Sequence, residues 1–132
     1  MKTNLIIINN EKCIKKGNNF YCENIEVKSI TELLSRSFNI KLILREAIIN
    51  PIHKINNSEI IISSNIFFFI KNLMNSIFRN KANYLIISVT PYTFLSFLLL
   101  FLFKKKTFLY LRSDGKKEIS IIFGKKLSII YK

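Results

Sequence analysis

Short apolar runs alternate with helix-like segments along this chain, and the series closes on Thr107-Phe108-Leu109-Tyr110-Leu111-Arg112-Ser113-Asp114-Gly115. An apolar run that turns abruptly polar reads as a strand delivering side chains to the rim of a sheet. In open α/β sheets ligands bind beyond the carboxyl ends of the strands. Leu5-Ile6-Ile7-Ile8 opens the series: it is continuous, β-branched and closed by Asn9-Asn10, as expected of a central strand buried on both faces. Residues 40–44, 59–62, 84–89 and 107–111 read as four more strands. With 132 residues there is material for one core, so the chain is read as a single domain over 1–132.

Residues 11–27 are polar and broken by Gly17, which predicts a long excursion with one short extended piece near residues 20–22. Ser29-Ile30-Thr31-Glu32 fits a capping box that opens a short helix ahead of Leu33, Leu34 and Phe38. Pro51 and Asn56-Asn57 mark a connection, and Ser63-Ser64-Asn65 offers caps for a helix whose Ile66, Ile70, Leu73, Met74, Ile77 and Phe78 share a face. Thr90-Pro91 starts a nearly unbroken apolar helix that Lys104-Lys105-Lys106 stops. From Pro91 to Phe103 such a helix rises about 20 Å against a hydrocarbon core of roughly 30 Å, so it cannot cross a bilayer.

Beyond Gly115, Ile119, Ile122, Phe123, Leu127, Ile130 and Tyr131 recur at spacings of three and four and predict a last helix, although Asp114-Gly115 is also a hairpin signal. The order of elements predicts an α/β fold, a Rossmann-like three-layer domain with a mostly parallel sheet of about five strands. Asn9-Asn10, Arg45-Glu46, Thr90 and the residues 112–115 then share one edge.

A formal charge of +13 attracts nucleic acid, anionic lipid or phosphorylated substrates. The aromatic residues fall within apolar runs and not among the basic residues where bases would stack, which ranks nucleic acid low. No glycine fingerprint follows the first strand and no Walker loop occurs, which argues against dinucleotide and P-loop functions. Cys13 and Cys22 are not in a Cys-x-x-Cys spacing and stand apart from His53, so no metal site is expected and a reduced pair is. His53 has no visible triad partners. The apolar run before Asn9 is too short for a signal peptide, which predicts a cytoplasmic chain.

Arg112, Ser113 and Asp114 are the strongest site candidates, because a guanidinium, a hydroxyl and a carboxylate at a strand end together bind a sugar or a phosphate. Asp114 equally suits a helix cap, with Gly115 turning the chain. Thr90 reads first as a cap. The three lysines suit a helix terminus, where cations meet the negative end of the dipole.

Taken together, Asn4-Leu5-Ile6-Ile7-Ile8-Asn9-Asn10-Glu11-Lys12, Asn19-Phe20-Tyr21-Cys22, Ser88-Val89-Thr90-Pro91-Tyr92 and Tyr110-Leu111-Arg112-Ser113-Asp114-Gly115 resemble the N-terminal, acceptor-side half of bacterial GT-B type glycosyltransferases. The resemblance spans essentially the whole chain and implies two facing Rossmann-like lobes, of which the donor-binding C-terminal one is not represented. It implies a nucleotide-sugar donor, with no covalently bound cofactor, and an envelope polysaccharide or lipid-linked acceptor. It places Asn9, Asn10, Thr90, Arg112, Ser113, Asp114 and Gly115 at the cleft edge.

Retaining members carry two glutamates separated by seven residues, and no two glutamates here stand eight positions apart, so the chain is expected to be inactive alone. The family's place on the inner face of the cytoplasmic membrane fits a basic lobe in which Lys104, Lys105 and Lys106 meet anionic lipid. The alternative is a non-enzymatic basic module that binds a membrane surface.

Overall fold

The computed structural model describes residues 2–47, 51–56, 59–79 and 81–110. They form an α/β fold in which three helices accompany a seven-stranded mixed sheet. In chain order the elements are β1 (Thr3–Lys16), β2 (Asn19–Cys22), α1 (Ile25–Leu34), β3 (Phe38–Glu46), β4 (His53–Ile55), β5 (Glu59–Ser63), α2 (Ile66–Arg79), β6 (Asn83–Ile87), α3 (Pro91–Leu102) and β7 (Thr107–Tyr110). Parallel pairing joins β7 to β6, β6 to β1, β1 to β3 and β3 to β5, while antiparallel pairing joins β1 to β2 and β2 to β4.

A sheet of about five strands, mostly parallel, is thus corrected to a mixed one, and the difference lies in β1. Its first half, Leu5 to Ile8, is a buried apolar strand flanked by β3 and β6. Where a polar loop is expected, the strand continues to Lys16 and returns as β2 across Gly17-Asn18, with Lys16 opposite Asn19. Gly17 takes φ +61, the left-handed angle that a II′ hairpin turn needs at its first position and that glycine adopts without a Cβ penalty. β2 is the short extended piece expected near residues 20–22, whereas residues 11–16 are mostly polar, so composition hides the arm before the turn. β4 then adds to β2 with Cys22 opposite His53, which makes His53 a half-buried strand residue and not a loop residue.

Side chains alternate across β1 and divide the core. Leu5 and Ile7 join Leu42, Leu44 and Cys22 on the face where Ile30 and Leu34 of α1 pack. Ile6 and Ile8 join Ile43, Tyr84 and Ile86 on the face covered by Phe69, Leu73 and Ile77 of α2 and Leu100 of α3. The fully buried aliphatic side chains among them, such as Ile7, Ile8, Leu42 and Leu73, each contribute about 1.5–3 kcal/mol relative to exposure.

α1 begins earlier than the Ser29 capping box predicts. Asn24 is the cap, its Oδ1 accepting from the Glu26 amide at 2.8 Å, while the Ser29 hydroxyl donates back to the Ile25 carbonyl from inside the helix. Phe38 belongs to β3. In α2, Asn65 Oδ1 accepts from the Phe68 amide at 3.0 Å, and Phe78, expected inward, is exposed. The expected helix over residues 116–131 lies outside the described residues.

Candidate functional site

The parallel ladders bring the carboxyl ends of β1, β3, β5, β6 and β7 to one edge, and the regular pairing of β1 with β3 breaks there. Ile8 pairs with Ile43 and Lys12 with Arg45, so Asn9, Asn10 and Glu11 stand opposite Leu44 alone. Such a bulge bends a strand and re-aims its side chains. Asn9 is 3 % exposed; its Oδ1 accepts from the Glu11 amide at 2.9 Å, and its Nδ2 has no partner among the described residues. Asn10 turns toward β3, where its Oδ1 accepts from Arg45 Nη1 at 3.0 Å.

The Arg45 guanidinium also lies over the Tyr92 ring, 4.4 Å from its centroid, and Tyr92 meets Phe69 edge-on at 5.2 Å. The sheet edge and the first turns of both α2 and α3 therefore converge on one arginine. A cation over an aromatic face gains about 0.5–2 kcal/mol, according to how far it is desolvated. Ser63, at the end of β5, is buried and accepts from Asn72 Nδ2 of α2 at 2.9 Å. These bonds stiffen the rim.

Arg45 and Glu46 are consecutive in a strand and so point to opposite faces. Glu46 lines a cleft of about 510 Å³ together with Lys15, Ser64, Asn72, Phe20 and Phe68. This cleft exists because the connection from β3 to β5 carries β4 and, among its described residues, no helix to cover Ile60 and Ile62. Two aromatic rings beside a carboxylate, an amide, a hydroxyl and an ammonium can stack on the apolar face of a ring and hydrogen-bond its hydroxyl groups.

Thr90 fulfils its expected capping role. Its Oγ1 accepts from the Thr93 amide at 3.3 Å, and the Thr93 hydroxyl closes the capping box. Asn9, Asn10 and Thr90 thus stand at the same edge of the sheet, with Tyr92, two residues past Thr90, linking α3 to Arg45 and through it to Asn10. Arg112, Ser113, Asp114 and Gly115 lie outside the described residues. Arg45, Glu46 and Tyr92 emerge as site residues from the structure; the signal for the first two was a charged pair closing an apolar strand. Lys104 and Lys106 are exposed just past the end of α3, and Lys106 Nζ sits 5.4 Å from the Phe108 ring centroid.

Cys13, Cys22 and His53 occupy one cross-strand row, closer than their sequence separation suggests. Both thiols donate to backbone carbonyls, Cys22 Sγ to Asn24 at 3.3 Å and Cys13 Sγ to Ile14 at 3.9 Å. Burial, then the Cys22 charge, pushes the Cys13 thiol up to about 12; burial, then Glu11, pushes Cys22 up to about 11. Both are therefore protonated thiols packed in the core. Among the described residues no three His, Cys, Asp or Glu side chains group closely enough to hold a metal ion. In comparisons with protein-family models, curated proteins and solved structures, nothing matches this chain.

Proposed function

We propose that this chain is the acceptor-side lobe of a sugar-transferring enzyme of the GT-B type, working with a nucleotide-sugar donor held by a second lobe and with an envelope polysaccharide or lipid-linked acceptor. The observation that carries the reading is the convergence of polar and aromatic groups on the carboxyl edge of the sheet: Asn10, Arg45 and Tyr92 on the face that α2 and α3 cover, and Glu46 with Phe68 and Asn72 of α2 in the cleft along β5. Chain order supports it as well. Connections run outward from β1 to β3 and β5, then return to β6 and β7 on its other side, so the order reverses at β1, and ligands of open α/β sheets bind at such switch points. On this reading the parallel part is Rossmann-like, helices lie on both of its faces, and the β2–β4 ribbon is an addition that walls the cleft.

Saturation-transfer NMR with neutral oligosaccharides tests the cleft. Saturable binding that weakens in Phe68→Ala and Glu46→Gln is expected, and its absence from the folded protein overturns the reading. The chain alone, incubated with nucleotide sugars and lipid-linked acceptors, is expected to give no transfer; robust transfer would overturn the two-lobe view.

One observation favours a second reading, a membrane-surface module at the inner face of the cytoplasmic membrane. α3 is inverted: it buries Thr93, Ser96 and Leu100 and leaves Phe101 70 % and Leu102 72 % exposed, with Phe94, Phe97 and Leu98 along the same outer stripe. Among the described residues no helix is long and apolar enough to cross a membrane. An in-plane helix flanked by Lys104, Lys105 and Lys106 remains open to it. Flotation with vesicles of phosphatidylcholine and phosphatidylglycerol decides: binding that needs the anionic lipid supports this reading, and indifference removes it.

A further inference from the structure

We infer that Arg45, held by Asn10 and Tyr92, is the receptor for a phosphate group carried by a ligand of the rim. The inference rests on the proposed sugar-transfer reading and names the chemistry that the non-cleft face of the same strand end recognises.

Arginine carries five N–H donors and no acceptor. Among the described residues the one side-chain hydrogen bond of Arg45 goes to Asn10 Oδ1, and no carboxylate lies within ion-pair distance of its guanidinium. A half-buried cation has lost part of its hydration, and that loss is ordinarily offset by a carboxylate. Here the substitutes are a neutral amide oxygen and an aromatic face, which fix the orientation of the fork and leave its charge unneutralised.

Tyr92 covers one face of the guanidinium and Asn10 takes one nitrogen, and among the described residues the remaining edge meets no acceptor. A planar fork with a free edge matches two oxygens of a phosphate in bidentate geometry. The same bulge holds a second donor that meets no acceptor among the described residues, Asn9 Nδ2, on a side chain only 3 % exposed. Donors that meet no acceptor among the described residues, one on each strand beside the register break, favour an anion over a neutral hydroxyl.

The full-length chain is titrated with inorganic diphosphate by calorimetry at 150 mM salt. Saturable one-to-one binding is expected, weakened at least tenfold in Arg45→Gln and a few-fold in Asn10→Ala. Lys54→Gln, an equal charge loss on the exposed surface of β4, is expected to stay within twofold of the unmodified protein. Equal losses in Arg45→Gln and Lys54→Gln would overturn the inference, because they would mean diffuse attraction to a +13 chain. Absence of saturable binding overturns it too.

Should Arg45→Gln fail to fold, Arg45→Lys keeps the charge and removes the fork: weaker binding supports the subsite and unchanged binding sinks it. A parallel arm measures partition onto phosphatidylcholine vesicles containing phosphatidic acid. Loss of partition in Arg45→Gln assigns the phosphate to a lipid headgroup, whereas an effect confined to diphosphate assigns it to a soluble ligand. Neutral oligosaccharide binding in the Phe68 cleft is read separately, so the subsite and the sugar reading can fail independently.

Discussion

α2 and α3 lie on the same face of the sheet, yet they bury opposite kinds of surface. α2 presents Phe69, Leu73 and Ile77 to Ile6, Ile8 and Ile43 and leaves Lys71, Asn75 and Arg79 in solvent, with Phe67 and Phe78 exposed at its two ends. α3 presents Thr93, Ser96 and Leu100 and leaves phenylalanines and leucines outside. The inward hydroxyls of α3 are satisfied locally: Thr93 Oγ1 donates to the Ser88 carbonyl at 3.0 Å and Ser96 Oγ to the Tyr92 carbonyl at 2.8 Å. The contrast teaches that α2 is held by the hydrophobic effect, while α3 is held by its cap, by small groups that permit close approach, and by Leu100. Among the described residues the most exposed part of that outer stripe, Phe101 and Leu102, takes no part in the core.

Truncation should separate the two helices most sharply. Leu73→Ala removes a fully buried side chain and is expected to cost about 2–5 kcal/mol in urea unfolding. A cost under about 1 kcal/mol would mean that α2 is not the sheet's main cover. The double substitution Phe101→Ser, Leu102→Ser sits on exposed positions and is expected to change stability by less than about 1 kcal/mol while lowering partition onto anionic vesicles several-fold. A large loss of stability would show instead that the stripe packs against protein.

Thr90→Ala removes the α3 cap and is expected to destabilise by about 1 kcal/mol, with Thr90→Ser close to unmodified, both read by thermal melting. A pH-dependent effect concerns Cys13. Its folded pKa, about 12, lies above the ordinary 9.0, so its stabilising contribution is complete below pH 9 and is lost as pH rises from 9 through 12. The stability difference between the unmodified protein and Cys13→Ala should therefore shrink above pH 9. A difference that is flat across that range would contradict a buried, protonated thiol.

What the sequence made legible follows from where the apolar signal is strong. The runs at Leu5, Ile40, Glu59, Tyr84 and Thr107 all become strands, because buried strands in this sheet are nearly continuous Ile and Leu. α2 is legible through its period, and α3 through Thr90-Pro91. Of the β1–β2 hairpin only the short extended piece near residues 20–22 is legible; the other arm, Cys13-Ile14-Lys15-Lys16, offers no apolar run, although Gly17-Asn18 was a usable turn signal. β4 escapes because three residues carry no period at all.

At the candidate site, Asn9, Asn10 and Thr90 are legible from their position at strand and helix ends. Arg45 gains its meaning only when the bulge brings Asn10 to it and α3 brings Tyr92, contacts between residues 35 and more positions apart in the chain.

β1 belongs to two differently built parts of one sheet, and its register break lies between them. The antiparallel ribbon is indexed by its own tight turn, so adding or removing residue pairs at its solvent-exposed tip, around Gly17 and Asn18, would lengthen or shorten the wall without moving the paired isoleucines below. That tip is a natural graft point: a fluorophore or an affinity tag placed there would ride on the ribbon and leave the Asn10 kink undisturbed.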